Sequence, residues 1–190
     1  MPRLAILICH LNHRVAQLER LMECLSSQCS MTEVSIHIST DAGQKPVGQK
    51  RNELLLGPSE WSIPYCCFID DDDLVSEDYC PRILKALEVN PDVVGIEGLL
   101  FRRSTSKDAA GPEKFIHSIQ YGNWFENGPA GEKTYYRSPN HLNPVKTELA
   151  IATGFKPLTH GEDRDYSQRL RPLLKTEVFL DGPVYHYFAN

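Results

Sequence analysis

The chain has no hydrophobic run long enough to cross a bilayer: no apolar stretch approaches the roughly 20 residues that a membrane helix needs. Met1-Pro2-Arg3 leads directly into a short apolar run, residues 4–9, too brief for the core of a signal peptide. Positive charge is not in excess either. Lys and Arg number 20 against 25 Asp and Glu, a formal net charge of -5. That balance does not mark a general nucleic-acid binder and leaves room only for a local basic patch. Among the six Cys (Cys9, Cys24, Cys29, Cys66, Cys67 and Cys80) no pair has zinc-ribbon spacing. Adjacent Cys66 and Cys67 in a strand would point to opposite faces, which suits a buried strand better than a disulfide framework. Internal repeats, low-complexity tracts and clear linkers are also missing. These absences predict a reduced, cytoplasmic chain without a membrane anchor.

What remains is ordinary globular material. At 190 residues, 41% hydrophobic and 24% charged, the chain can bury a core of its own as a single domain. Residues 4–9 read as a strand buried on both faces. Asn12 is a candidate cap for a helix carrying Val15, Leu18, Leu21, Met22 and Leu25 on one face. Val34, Ile36 and Ile38 alternate with polar residues in a second strand that ends at Asp41. A short helix over 49–56, a third strand over 65–69, a helix over 81–88 and a fourth strand over 93–101 follow. The alternation β-α-β-α-β-α-β predicts an α/β fold with a mostly parallel central sheet flanked by helices. Ligands in such sheets sit beyond the carboxyl ends of the strands.

The second half is less regular. Residues 115–120 read as a strand, and 121–140 carry no periodic pattern. Residues 146–153 read as a helix stopped by Gly154, and Gly161-Glu162-Asp163 starts another that runs to Leu170. Two strands, 177–180 and 184–188, would flank an Asp181-Gly182 turn.

The stretch that organises the chain is Asp70-Asp71-Asp72-Asp73, at the end of the third strand. Carboxylates this close repel one another, which raises their pKa values unless something positive neutralises them. A divalent cation bridging to a phosphate would do so. The plainer reading is a charged strand-to-helix loop.

Four features occur in order: Asp41, then Gly48-Gln49-Lys50-Arg51-Asn52, then Asp70 to Asp73, then Gly154-Phe155 with Gly161-Glu162-Asp163-Arg164-Asp165. Together they resemble the nucleotide-sugar-dependent glycosyltransferases of the Rossmann-like GT-A fold, most closely family two, over nearly the whole chain. The resemblance implies one GT-A domain over 1–190, with a nucleotide-sugar-binding half (1–103) and an acceptor and catalytic half (104–190). It implies that Asp41 contacts the nucleotide base and that Arg51 lies beside the nucleotide, although Arg51 also reads as a helix-surface cation. Asp70 and Asp72 match the two acids of the DxD motif, the first toward the ribose and the last toward a manganese or magnesium ion. The register stays open, with Asp71 grouped on the nucleotide side and Asp73 on the metal side. His186 resembles the C-terminal His that completes the metal site, against a plain structural role. Asp163 matches the general base that takes the proton of an acceptor hydroxyl, implying inversion at the sugar; helix capping is its alternative.

His10 stands where the family differs, so it either touches the donor or closes a turn. Trp124, in a polar aromatic loop, is the better acceptor-stacking candidate of the two Trp. A glycan acceptor ranks first. Hydroxymethylated bases of DNA rank second, with Arg102, Arg103, Lys107 and Lys114 as a phosphate-binding edge. Two other readings stand beside these. Asp71-Asp72-Asp73-Leu74-Val75 fits the nucleophile loop of haloacid-dehalogenase-like phosphatases, and a non-catalytic cation- or glycan-binding module would also explain the acids.

Overall fold

The computed structural model describes residues 1–29, 32–102, 111–130 and 132–189. In chain order the elements are β1 (Leu4–Leu11), α1 (Val15–Ser26), β2 (Val34–Asp41), α2 (Val47–Glu60), β3 (Tyr65–Phe68), β4 (Leu74–Val75), α3 (Tyr79–Ala86), β5 (Val93–Arg102), β6 (Glu113–His117), β7 (Phe125–Asn127), β8 (Thr134–Arg137), β9 (Val145–Lys146), α4 (Thr147–Thr153), α5 (Glu162–Leu170) and β10 (Glu177–Ala189). No helix among the described residues is long and apolar enough to cross a membrane.

The sheet runs β2-β1-β3-β9-β5-β6-β8-β7, with β10 beside β5 and β4 on β10. β1 is parallel to both β2 and β3. The unbroken apolar run of β1 reflects two cores, one on each face. Leu4, Ile6 and Ile8 pack with Leu21 and Leu25 of α1 and Ile83 of α3. Ala5 and Leu7 pack with Leu55 of α2, Ala150 of α4 and Tyr166 of α5. Cys67 and Cys66 divide between the same two cores. The expected α/β sheet flanked by helices is therefore present, and its strands β1, β2 and β3 all deliver their carboxyl ends to one side.

Several details differ from the sequence reading. β3 and β5 are not neighbours, because the short β9 lies antiparallel between them. Asp181-Gly182 does not reverse the chain. Both flanks pair in parallel with β5, so the Gly182 φ of 80° serves an irregularity within one strand, with register shifts around Pro183. Residues 121–140 contain β7 and β8, paired antiparallel. Asn12 opens a short 3-10 turn and makes no side-chain cap. The expectation of six reduced thiols also fails: Cys29, just past α1, and Cys80 of α3 are joined by a disulfide, with Cα atoms 5.7 Å apart.

Candidate active site

The acid loop leaves β3 with its side chains alternating between cleft and interior. Asp71 and Asp73 side chains are 1% exposed, while Asp70 and Asp72 keep 27% and 17%. Asp71 is closed off. Its oxygens accept from His10 Nδ1 (2.8 Å), the Leu11 backbone N–H (2.9 Å) and Arg14 Nη1 (2.8 Å). His10 therefore closes a turn, and Asp71 anchors the end of β1. Asp73 accepts from the Tyr185 hydroxyl and the Phe188 N–H, both at 2.8 Å, and so ties β10 to the loop. Arg14 also reaches Asp72 Oδ2 at 3.0 Å. Burial and the neighbouring carboxylates still raise the Asp72 pKa, although Arg14 pulls it down.

The repulsion within the quartet is thus relieved largely by cations of the protein. Arg14 supplies one and α2 supplies another, Arg51, from a run of three successive polar residues that all reach across the site. The N-terminus of α2 packs so closely on the loop before α5 that a Cβ at Gly48 would lie 1.9 Å from the Lys156 carbonyl oxygen. That contact fixes the fan that follows. Lys50 Nζ binds Asp41 Oδ1 (2.7 Å) and the His10 carbonyl (2.8 Å). Arg51 donates to Asp70 Oδ1 (3.0 Å) and Glu162 Oε1 (2.6 Å). Asn52 exchanges two hydrogen bonds with the Phe155 backbone, both 2.7 Å. Arg51 is buried between the rings of Phe68 and Phe155, so it is not a surface cation. Burial opposes its charge, but Asp70 and Glu162 outweigh burial and hold its pKa above the usual value. Burial likewise opposes the Asp70 charge, yet Arg51 and His141 keep that carboxyl well below the usual range.

Two clefts meet at this junction. One, of about 490 Å³, runs over Arg14, Gly43, Lys45 and Asp72. The other, of about 430 Å³, runs under Tyr135, Arg137, Asn140 and Asp163. Arg51, Asp70, Thr159, His160, Glu162 and Tyr187 line both. Asp163 sits in the first turn of α5, where its Oδ1 accepts the Arg164 N–H at 2.8 Å. Its carboxylate therefore does take part in the helix start, and it also faces the second cleft.

Asp41 lies at the rim rather than in the wall. Its oxygens hold the Gly43 and Lys45 N–H groups, shaping the turn that lines the first cleft. The Lys50 hydrogen bond keeps its pKa low. His186 is not brought to the acids. It stands edge-on to Phe101, with centroids 5.8 Å apart, and lines neither cleft; Tyr187 takes the cleft side of β10. Burial lowers the His186 pKa. Trp124 donates to Ser167 Oγ at 3.2 Å and carries Arg137 on its ring. Of the basic edge considered for DNA, Arg102 pairs with Glu113 and Lys114 with Glu97. Arg103 and Lys107 lie outside the described residues. The phosphatase reading needs an accessible nucleophile at Asp71, which is enclosed.

The sequence reading missed the bend over residues 138–143, where Ser138, Asn140, His141 and Asn143 are all buried. Asn143 Nδ2 donates to the Val94 carbonyl, so its Oδ1 accepts from the Asn140 N–H and from His117 Nδ1. This fixes the proton of His117 on Nδ1. Burial and the nearby Arg137 push its pKa well down, so the ring is neutral. His141 Nε2 approaches Asp70 Oδ2 at 3.4 Å.

A divalent cation needs several oxygen ligands. Among the described residues no group of three or more His, Cys, Asp or Glu forms a cage for one. Asp73 is engaged with Tyr185 and Phe188, and His186 lies elsewhere. Asp70 and Asp72 fit a cation only if bound phosphate oxygens complete its shell.

No protein-family profile and no curated protein matches the chain. Solved structures do. S. aureus TarS 1-349 in complex with UDP-GlcNAc aligns with a TM-score of 0.71 at 13% identity, covering 100% of this chain and 59% of that one. TarS 1-349 in complex with UDP aligns equally well, with 61% of that chain covered. A longer S. aureus TarS structure gives 0.66 at 14% identity, with 37% covered. The chain shares with TarS a mixed α/β fold with a mostly parallel sheet flanked by helices, and at this identity the likeness is one of fold. The chain spans about three fifths of the TarS 1-349 structures it matches.

Proposed function

We propose that this chain is a glycosyltransferase of the family-two kind, moving a sugar from a nucleoside-diphosphate sugar to an acceptor hydroxyl. The observation that carries the reading is the junction at Arg51, where one guanidinium ties Asp70 to Glu162, next to Asp163. In this reading Asp70, the nucleotide-side acid, and Asp163, the base, line clefts that share a wall. The donor occupies the cleft over Arg14, Lys45 and Asp72, and the acceptor enters the cleft under Arg137 and Asp163. Lys45 and Arg14 line the donor cleft and meet the diphosphate. Asp70 and Asp72 would hold a manganese or magnesium ion together with that diphosphate. Such an ion offsets the charge that develops on the leaving group.

The acceptor oxygen forms a bond to the anomeric carbon as the bond from that carbon to the diphosphate oxygen breaks. The nucleoside diphosphate leaves with the electron pair. The acceptor proton passes to Asp163, which lies in the second cleft, opposite the departing group. Attack from that side inverts the sugar.

The test is Asp163→Asn, assayed by nucleotide release with a panel of uridine diphosphate sugars and by binding of uridine diphosphate with and without manganese. Turnover should fall about a hundredfold or more, the usual scale for a positioned base, with nucleotide binding retained. Unchanged turnover with weakened nucleotide binding would remove Asp163 from the chemistry.

A further inference from the structure

Arg137 ends β8 and lines the same cleft as Asp163. Its guanidinium carbon lies 4.5 Å from the centre of the Trp124 ring and 5.7 Å from that of Tyr135. The indole is fixed in turn by its hydrogen bond to Ser167, a buried residue of α5. Arg164 approaches the same indole at 6.0 Å. Most other described arginines are used differently; Arg20 and Arg171 are the exceptions. Arg3, Arg14, Arg51, Arg82, Arg102 and Arg169 each face a carboxylate within 4 Å. Among the described residues, no carboxylate comes that close to Arg137 or Arg164.

A half-buried guanidinium that gives up water without gaining an anion is costly, and stacking on an aromatic face offsets only part of that cost. The ion pairs of the cleft leave Arg137 out: Arg51 is shared by Asp70 and Glu162, and Arg102 pairs with Glu113. An incoming acceptor meets the Asp163 carboxylate and the Arg137 guanidinium, both in the wall of this cleft. A neutral acceptor would leave Arg137 with only the Asp163 carboxylate, beyond ion-pair distance, to offset its charge. A planar, rigidly stacked guanidinium is suited to two parallel hydrogen bonds to an oxyanion.

We propose that Arg137, backed by Trp124, forms an oxyanion subsite for the acceptor, whose phosphate or carboxylate group it holds while the acceptor hydroxyl faces Asp163. The role of the hydroxyl rests on the transferase reading; the anion subsite does not. The test measures binding of inorganic phosphate and of acetate to the wild type, Arg137→Gln, Arg137→Lys and Arg164→Gln, each with and without saturating uridine diphosphate. The expected result is phosphate or acetate binding that weakens about tenfold or more in Arg137→Gln and less in Arg137→Lys and Arg164→Gln. Preference for phosphate or for acetate identifies which oxyanion the acceptor carries. Unchanged uridine diphosphate affinity in Arg137→Gln shows that the variant is folded. Equal anion affinity in wild type and Arg137→Gln, or no anion binding by the wild type, overturns the subsite. Failure of uridine diphosphate to bind any of these proteins overturns the transferase reading instead, and the anion comparison without nucleotide still decides the subsite.

Discussion

The two sides of the Arg51 junction are built on different principles. On the donor side, Asp41, Asp70, Asp71, Asp72 and Asp73 each have a partner inside the protein, among them Lys50, Arg51, Arg14 and Tyr185. On the acceptor side, no oppositely charged side chain lies within 4 Å of Asp163, Arg137 or Arg164 among the described residues. Unpartnered polar atoms gather there too: Nε2 of His117 and Nδ1 of His141 are buried without a hydrogen bond. The donor side is set before any ligand arrives, so its dipoles and charges need little rearrangement on binding. The acceptor side is electrostatically unfinished, as a surface is when its partner supplies the missing groups.

The sharpest way to break this contrast is to remove the tie between the two sides. Arg51→Met leaves the buried Glu162 and the partly exposed Asp70 without their cation. Stripping one partner from a buried ion pair costs about 3–5 kcal/mol. At this chain length that lowers Tm by roughly 6–20 °C. Thermal unfolding of the variant checks the value. A drop of only a degree or two would mean that water already compensates the two carboxylates, and the junction would not be a strut.

A smaller effect separates the two kinds of acid in the quartet. Asp71→Asn removes the charge that Arg14 and His10 answer in the interior, and should cost about 1–3 kcal/mol of stability. Asp72→Asn changes a partly exposed pair and should alter stability by no more than about 1 kcal/mol. Its effect should appear instead as loss of metal-dependent uridine diphosphate binding, about tenfold or more. Denaturant melts and nucleotide titrations on both variants read the contrast. If the two variants behaved alike in both measurements, the alternation of buried and cleft-facing acids would have no functional meaning.

The same contrast explains what could be read in the sequence. The donor side is carried by local signals. The apolar run of β1, the alternation in β2 and the acids after β3 each mark the end of a strand and put Asp41 and Asp70 there, whereas Arg51 on α2 came only from the family resemblance. The alternation within the quartet was not readable, because it depends on Arg14, His10 and Tyr185 arriving from distant elements. The acceptor side has no period to read. The bend over residues 138–143 is held by amide side chains bonding to nearby backbone, as in Asn140 Oδ1 to the Leu142 N–H. Such contacts leave no hydrophobic pattern. Arg137 and His117 enter the site only because β6 and β8 pair in parallel beside β5. His186 lines neither cleft: a strand alternates, and Tyr187 takes the cleft side of β10.

The last contrast concerns pH and the tie between the acid loop and β10. Burial, followed by the nearby Asp70 charge, pushes the Asp73 carboxyl up to about 8. A carboxyl whose pKa is raised by folding binds its proton more tightly in the folded chain than in the unfolded one, where the pKa is about 3.9. Its contribution to stability is therefore fully present below about pH 4 and is lost as pH rises toward 8. Asp70 has the opposite sign. Held well below the usual range, it contributes above about pH 4 and loses that contribution only in acid. Between pH 5 and 8 the two do not mask each other. Asp73→Asn keeps one acceptor for the Phe188 N–H and offers an amide donor to the Tyr185 oxygen, without a titrating group. The wild type should lose Tm relative to Asp73→Asn from pH 5 to pH 8, and melts at several pH values across that interval measure the difference. A constant difference across the interval would mean that Asp73 is ionised throughout, held as a carboxylate by Tyr185 and Phe188, and that the donor side is as fully charge-compensated at Asp73 as it is at Asp71.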